Sequence, residues 1–572
     1  MSEKSTQSIC NFNEYYKHYL ALFVLTIVTF SHLVQAQPSD DEAGDNLITP
    51  EIIKTLENYS EKYRQQLVVP GMAIAIVHNG KIVYAKGLGY RQIGRQKTVN
   101  AKTLFSIGSL SKSMTAMMAG SIVDDGYMQW DTPINQVLPQ FELSDPMVTQ
   151  QITMKNLFSH STGISPVDQM LMLSGLSFPE YLRYIKTVPL LHPVGTVFNY
   201  SNTMYSLGGY AAVAATGELK EDEWLESYRE LMHERVFEPI GMKHSGLSAE
   251  FIEESKNRAF GHRSNLQANM TSAGFDVFTE AYWDIETQGP AGAVRSNAVD
   301  MAKYLITILN HGISPKGDVV ISPSSSTEIF NPQINIGHIS YGLGWFNENI
   351  GDLRVHHHTG GIGGFSSSML IVPEANFGFV ILSNSNFQGS VLNQSIQQRL
   401  LELTFGLAET AEAQLLNIMA SLGEAEQYYA MLAPVDAESV MPFIGDYANP
   451  PGRAMQLSLS DGHLWLHVDD INFSEYKLGP DGRYYAITDL YFFGGSTLEL
   501  LRNTNGQLTM VLDGGFELAK IETSNNADDE SDVERHETDH QFENIHQHRH
   551  QKGLMDSWKK DHHRQSGKIY RM

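Results

Sequence analysis

A helical block enclosed between early and late strands is the pattern that most constrains this chain. Met72-Ala73-Ile74-Ala75-Ile76-Val77 and Lys81-Ile82-Val83-Tyr84-Ala85 read as strands, and His78-Asn79-Gly80 between them carries the Asn-Gly of a tight hairpin. From about Ser109 to about Gly246 the apolar spacing turns helical, interrupted by loops such as Ser159-His160-Ser161-Thr162-Gly163. Strand patterns return at Tyr341 to Phe346, His356 to Thr359, Ser367 to Val372 and Phe377 to Ser383. This order predicts an α+β domain whose antiparallel sheet is closed by its two chain ends. An amphipathic helix is expected ahead of it over Thr49 to Leu67, and helical segments over Gln397 to Gly406 and Glu409 to Met431 lead out of it.

A second unit follows near Val435. Its alternating runs, Met455 to Leu459, His463 to Val468, Tyr484 to Thr488, Thr497 to Arg502 and Gln507 to Leu512, are separated by Asp461-Gly462, Asp481-Gly482 and Asn505-Gly506. That combination predicts a small antiparallel β-barrel-like domain. Beyond Ser524 the chain is acidic, then rich in His and Lys, with too few aliphatic residues to bury a core, so a disordered tail is expected. At the other end, Lys4 and Lys17 precede an apolar run of about 11 residues from Leu20 to Phe30, short of the roughly 20 that span a bilayer. Val34-Gln35-Ala36 then supplies a cleavage site, so a signal peptide and export to the periplasm or medium are expected. The expected boundaries are a signal peptide over 1–36, a linker over 37–46, the main domain over 47–407, a helical linker over 408–434, the β domain over 435–523 and the tail over 524–572.

Composition removes several function classes. The 40 Lys+Arg against 65 Asp+Glu leave a formal charge of −25, which makes nucleic acid an unsuitable partner. Cys10 is the single cysteine, so an intrachain disulfide or a Cys-based metal site is excluded. It falls in the segment expected to be removed and follows no lipoprotein pattern, so no stable membrane anchor is expected after cleavage. Asn199-Tyr200-Ser201 is formally a glycosylation sequon, but a glycan there would block the cleft proposed below.

Three separated motifs carry chemistry. Ser109 and Lys112, in Ser109-Leu110-Ser111-Lys112, stand in an i, i+3 relation on a helix-prone stretch, which makes hydroxyl and amine neighbours. A serine needs a base to become a nucleophile, and a lysine desolvated among Leu110, Met114 and Met117 would have its pKa driven downward, towards the neutral amine that can take a proton. Tyr200 and Asn202, in Phe198-Asn199-Tyr200-Ser201-Asn202, offer a phenol to relay the serine proton and an amide to orient substrate and hold Lys112. His356-His357-His358-Thr359-Gly360-Gly361 is a strand entering a glycine-rich stretch, where a backbone N–H at Gly361 can pair with that of Ser109 as an oxyanion hole. On a strand His357 points away from His356 and His358, so three imidazoles do not converge; no metal and no cofactor is expected. No Gly-x-Ser-x-Gly elbow is present, which counts against an α/β-hydrolase.

Taken in order, Ser109-x-x-Lys112, Tyr200-x-Asn202 and His358-Thr359-Gly360 resemble the penicillin-recognising serine hydrolases: class C β-lactamases, D-alanyl-D-alanine carboxypeptidases, and esterases and D-aminopeptidases of the same fold. Val69-Pro70-Gly71, Asn156-Leu157-Phe158-Ser159-His160-Ser161-Thr162-Gly163, Pro239-Ile240-Gly241-Met242 and Gly342-Leu343-Gly344-Trp345 extend the resemblance over roughly Leu47 to Ser385. Phe443-Ile444-Gly445-Asp446-Tyr447 opens a unit similar to the accessory domain of some of these proteins. The resemblance implies that Ser109 is the acyl-enzyme nucleophile, that Lys112 and Tyr200 share acid–base duty, and that Asn202 orients substrate. It also implies that His358 and Thr359 line an edge receiving a substrate carboxylate, where class C β-lactamases have Lys in place of His358.

The expected substrate is a small molecule or peptide. A D-amino-acid-specific peptidase or amidase, D-alanyl-D-alanine carboxypeptidase-like, comes first. An esterase of short acyl esters, with the apolar segment Met170-Leu171-Met172-Leu173 to Phe178 as a lid, is the second reading. A class C-like β-lactamase and a non-catalytic penicillin-binding sensor are the remaining alternatives. The sequence leaves the oligomeric state open.

Overall fold

The computed structural model describes residues 47–521 apart from 166–175, 221–222, 249–250, 253, 265–274, 278–287, 430, 448–454, 461, 469–470, 490–496, 504 and 513–515. The expected signal peptide, linker and tail, and the proposed lid segment at Met170 to Leu173, lie outside the described residues.

Helix α1 (Pro50–Gln66) starts where Thr49 Oγ1 accepts from Ile52 N–H, with Pro50 in the first turn. Strands β1 (Gly71–His78) and β2 (Lys81–Gly89) form the expected hairpin, with Asn79 and Gly80 at φ +48° and +71°. The later strands are β3 (Ile334–Ile336), β4 (Ile339–Tyr341), β5 (Phe346–Ile350), β6 (Leu353–Ile362), β7 (Phe365–Val372) and β8 (Phe377–Ser383). They assemble with the first hairpin into one sheet of order β2-β1-β8-β7-β6-β5-β4-β3. The seam is the antiparallel pairing of β1 with β8, Met72 opposite Ser383 through His78 opposite Phe377. The fold is therefore the α+β arrangement expected, with the sheet joined from the two ends of the domain.

Both faces of the sheet are covered, and alternation along β1 assigns its side chains to two cores. Met72, Ile74 and Ile76 pack with Phe379 and Ile381 against Leu56 and Tyr63 of α1 and Leu392, Ile396 and Leu400 of α5 (Phe387–Phe405). Ala73, Ala75 and Val77 belong to the larger core under the helical block, which includes α2 (Ser111–Asp124), α3 (Asn202–Thr216) and α4 (Ala298–Leu309). Each fully buried Ile, Leu or Phe stabilises by about 1.5–3 kcal/mol, so an Ile74→Ala cavity between sheet and α1 is among the more damaging single changes.

The expected strand from Tyr341 to Phe346 is instead a hairpin: β4 ends at Tyr341, β5 begins at Phe346, and the two residues pair. Gly344 turns the chain at φ +84°, and Gly342 N–H donates to Trp345 C=O at 2.8 Å. A Cβ at Gly344 would stand 2.6 Å from Tyr205 Oη, so this turn packs tightly over the start of α3 and the backbone of Lys112.

Helix α6 (Ala411–Tyr429) leads to the second β unit. There β9 (Gly445–Tyr447), β10 (Met455–Ser460), β11 (His463–Val468), β12 (Ile471–Leu478), β13 (Tyr484–Asp489), β14 (Thr497–Arg502), β15 (Leu508–Leu512) and β16 (Phe516–Ala519) pair consecutively and antiparallel. Ile521 N–H donates to Asp446 C=O at 2.8 Å, and Tyr447 bridges Lys520, so the last segment returns to the first and the barrel is nearly closed. Tyr447, Met455, Leu457, Leu464, Leu498 and Met510 fill its interior.

Candidate active site

Ser109 sits in the one-turn 3₁₀ segment Gly108–Leu110, immediately before α2 rather than within it. Pairing of Phe105–Ser106 with Arg295–Ser296 and the bond from Ile107 N–H to Val294 C=O fix the approach to this turn. Ser111 Oγ donates to Gly108 C=O at 2.6 Å and accepts from Val294 N–H at 3.1 Å, which locks it. The helix that follows is apolar or small on all sides, and every residue from Ser111 to Ile122 is buried. Lys112 is carried into the interior by that burial.

The ammonium-bearing atom of Lys112 is surrounded by oxygens. Nζ lies 3.0 Å from Ser109 Oγ, 2.6 Å from Asn202 Oδ1 and 3.0 Å from Ala291 C=O. Ser109 and Lys112 are thus neighbours at the expected spacing. Tyr205 Oη donates to the Lys112 carbonyl at 2.7 Å and anchors this part of the helix from α3.

Tyr200 reaches the same serine oxygen. Its hydroxyl donates to Ser109 Oγ at 2.9 Å, and Lys112 Nζ stands 4.8 Å from the centre of the Tyr200 ring. Ser201 caps α3, its Oγ accepting from Met204 N–H at 3.1 Å, and this cap orients the first helical residue, Asn202, towards Lys112. The structure therefore brings Ser109, Lys112, Tyr200 and Asn202 into one hydrogen-bonded group.

Strand β6 borders the group. Its pairing with β5 ends at His357 opposite Phe346, whereas pairing with β7 continues to Ile362 opposite Phe365. Among the described residues, the β5 side of β6 has no strand partner beyond His357, and the glycines there lie against the Ser109 turn. A Cβ on Gly108 would stand 2.7 Å from Gly361 N, and one on Gly360 only 2.2 Å from Ile107 O and 3.0 Å from Ser109 N. No side chain fits between these backbones, which is why Gly108, at φ +52°, and Gly360 are glycines. The amides of Ser109 and Gly361 consequently belong to adjoining segments, as an oxyanion hole requires. Ser367 Oγ steadies the arrangement by donating to Ile107 C=O at 2.7 Å.

The three histidines of β6 have separate partners. His356 pairs with Asn347 Oδ1 at 2.7 Å and lies on the Phe330 ring, and burial with the nearby His357 and Arg354 lowers its pKa to about 4. His357 stacks on Phe346 with Nε2 3.4 Å from Glu348 Oε2. His358 Nδ1 is 2.6 Å from Thr359 C=O, which only an N–H can satisfy, so Nε2 is left to accept from Tyr341 O–H at 3.1 Å. Burial, followed by the charge of Lys112, pushes its pKa down to about 3.

These surroundings differ from those of a cation standing free at the strand edge. His358 is 2% exposed, burial holds its pKa down, and both ring nitrogens have hydrogen-bond partners within the protein. Thr359 is exposed at that edge and Gly360 partly so. A lone histidine at a lysine's position looks like a weaker cation in sequence; its burial behind the edge is visible only in three dimensions.

His160 also borders the site, although nothing in its sequence position singles it out. It stacks on Tyr200 with ring centres 4.2 Å apart, and its Nδ1 accepts from Ser201 N–H at 3.1 Å. In sequence it stood in a loop with no spacing to mark it, although that loop was one of the stretches carrying the family resemblance.

The chain belongs to the beta-lactamase family, whose model matches residues 56–402. Among curated proteins it is similar to Unguisins hydrolase ungD' of Aspergillus campestris (strain IBT 28561), 25% identical over 445 residues that cover 72% of this chain and 79% of that one. It is also similar to Protein flp of Staphylococcus aureus (strain MW2), 27% identical over 323 residues covering 56% of this chain and 60% of that protein. Among solved structures, the octameric penicillin-binding protein homologue from Pyrococcus abyssi superposes with a TM-score of 0.53 at 20% identity, covering 82% of this chain and all of that one.

Proposed function

We propose that this protein is a serine hydrolase that cleaves amide or ester bonds through an acyl-enzyme on Ser109. The observation that carries the reading is the position of Ser109 Oγ between Lys112 Nζ at 3.0 Å and Tyr200 Oη at 2.9 Å, both within proton-transfer distance. As substrate binds, the Lys112–Tyr200 pair takes the Ser109 proton and Oγ forms a bond to the carbonyl carbon. The resulting oxyanion is held by the N–H groups of Ser109 and Gly361. Collapse breaks the bond to the amine or alkoxide, which leaves with the proton held by the pair. Water then gives its proton to the same pair, attacks the acyl ester, and releases the acid and free Ser109.

Within that class, a peptidase or amidase acting next to a D-amino acid is the first reading; the hydrolase among the relatives supports the class, and the D-amino-acid preference rests on the sequence resemblance. The uncharged, buried His358 argues against strict dependence on a free carboxylate beside the scissile bond. It favours substrates whose flanking group is neutral, and by the same observation supports the second reading, an esterase. Export rests on the amino-terminal sequence alone. The test is turnover by the purified protein of p-nitrophenyl esters, D- and L-amino acid anilides, a D-alanyl-D-alanine peptide and nitrocefin, with mass spectrometry of the trapped acyl group. An adduct on a residue other than Ser109, or no adduct with any substrate, would overturn the proposal.

A further inference from the structure

His160 touches three consecutive residues of the segment that delivers the phenol. Its carbonyl accepts from Asn199 N–H at 2.7 Å, its ring lies against Tyr200 at 4.2 Å and 31°, and its Nδ1 accepts from Ser201 N–H at 3.1 Å. The third contact also reaches Asn202, because Ser201 is the cap of α3. The same ring sits among Tyr205 and Tyr341, with centres at 5.3 and 5.1 Å, so it is gripped on its other sides by the residues that anchor Lys112 and His358.

Holding it there costs stability twice. His160 adopts φ +57°, a left-handed backbone that residues with a Cβ rarely take. With Nδ1 accepting, the ring proton is on Nε2, which is buried and has no hydrogen-bond partner among the described residues. A side chain serving only to fill space would not bring the second cost, since Phe would fill a similar volume without a buried N–H.

We infer that His160 is a positioning residue that holds Tyr200 against Ser109 and Asn202 against Lys112. The inference rests on the catalytic reading of Ser109 and Tyr200 given above. Because proton transfer demands that the phenol stay within hydrogen-bond reach of Ser109 Oγ, release of the clamp lowers the rate of acylation more than it weakens binding.

The test is a set of variants in the full chain. His160→Asn tolerates the left-handed backbone and leaves an oxygen near the place of Nδ1, but removes the ring face. His160→Phe keeps the ring and removes the acceptor. Each is expected to lower kcat and the rate of labelling by an active-site serine reagent by about ten- to a hundredfold, with KM changed by no more than about twofold. His160→Gly, which relieves the backbone and removes both contacts, is expected to be worse than either. In a Tyr200→Phe background, His160→Asn is expected to cause little further loss, since the hydroxyl it positions is gone.

Equal losses from His160→Asn in both backgrounds, or near-normal kcat in His160→Gly, would overturn the clamp and leave the acyl-enzyme reading intact. Absence of Ser109 labelling in the unmodified protein would overturn both. If His160→Asn does not fold, the kcat-to-KM split of His160→Phe decides: unchanged kcat overturns the inference.

Discussion

Tyr200 Oη donates to Ser109 Oγ across 2.9 Å, although the two residues are 91 positions apart in the chain. Removing that hydroxyl leaves a ring of the same shape in the same aromatic surroundings, so Tyr200→Phe is expected to fold normally. General acid–base contributions are commonly about 10²–10⁴-fold, and a kcat loss in that range is expected on whichever substrate is turned over. A Tyr200→Phe enzyme with unaltered kcat would remove the phenol from the mechanism.

Ser109→Ala is expected to abolish both turnover and covalent labelling. Among the described residues Ser109 Oγ hydrogen-bonds only to Lys112 and Tyr200, so thermal unfolding should shift little. Intact-mass measurement after treatment with a serine-directed reagent checks it, and persistent labelling would place the nucleophile elsewhere.

Lys112→Arg tests the base. A guanidinium remains charged at any accessible pH and is too large for a pocket bounded by Ser109, Asn202 and Ala291 oxygens. The variant is expected to be nearly as inactive as Lys112→Ala. Appreciable kcat in the arginine enzyme would rule out proton acceptance by this side chain.

Gly108→Ala examines the oxyanion hole through the backbone. The new methyl would lie 2.7 Å from Gly361 N and sit on a φ of +52°. Displacement of Gly361 is expected to cost kcat about 10²–10³-fold, the usual penalty for losing one oxyanion donor. A kcat within a few-fold of normal would show that Gly361 N–H does not hold the charge.

Acid should destabilise the main domain in a defined window. His262, His356 and His358 have pKa values lowered from 6.5 to about 4, 4 and 3, chiefly by burial. For such groups the unfolded chain binds protons that the folded one refuses, so their stabilising contribution is present above pH 6.5 and is lost as pH falls towards 4 and below. The slope approaches about 1.4 kcal/mol per pH unit for each histidine. Denaturant unfolding between pH 7 and 4.5 checks this; a flat profile across that range would mean that these rings accept protons in the folded state.

Much of this arrangement was legible in sequence because it depends on local signals. Asn79-Gly80 marks a hairpin in any setting, and Ser109 and Lys112 are three residues apart on a helix-forming stretch. Partnership between segments was harder to read. The Gly344 turn that splits the expected strand at Tyr341 to Phe346 exists to clear Tyr205, a neighbour more than a hundred residues earlier. His358 matched a known position, yet its commitment to Tyr341 and Thr359 follows from burial, which the order of residues does not encode. His160 lacked any signal of its own, since its backbone angle and its stack on Tyr200 arise only when the loop and the start of α3 meet.

The joining of β1 to β8 has a bearing on when the candidate site is assembled. Synthesis delivers Ser109, Lys112 and Tyr200 well before Gly361 and the last two strands emerge. A growing chain therefore holds its nucleophile without the amide that would steady an oxyanion, and without the seam that fixes the sheet. If Ser109 is the nucleophile proposed above, chains cut short before Ser383 should neither consume substrate nor be trapped by serine-directed inhibitors.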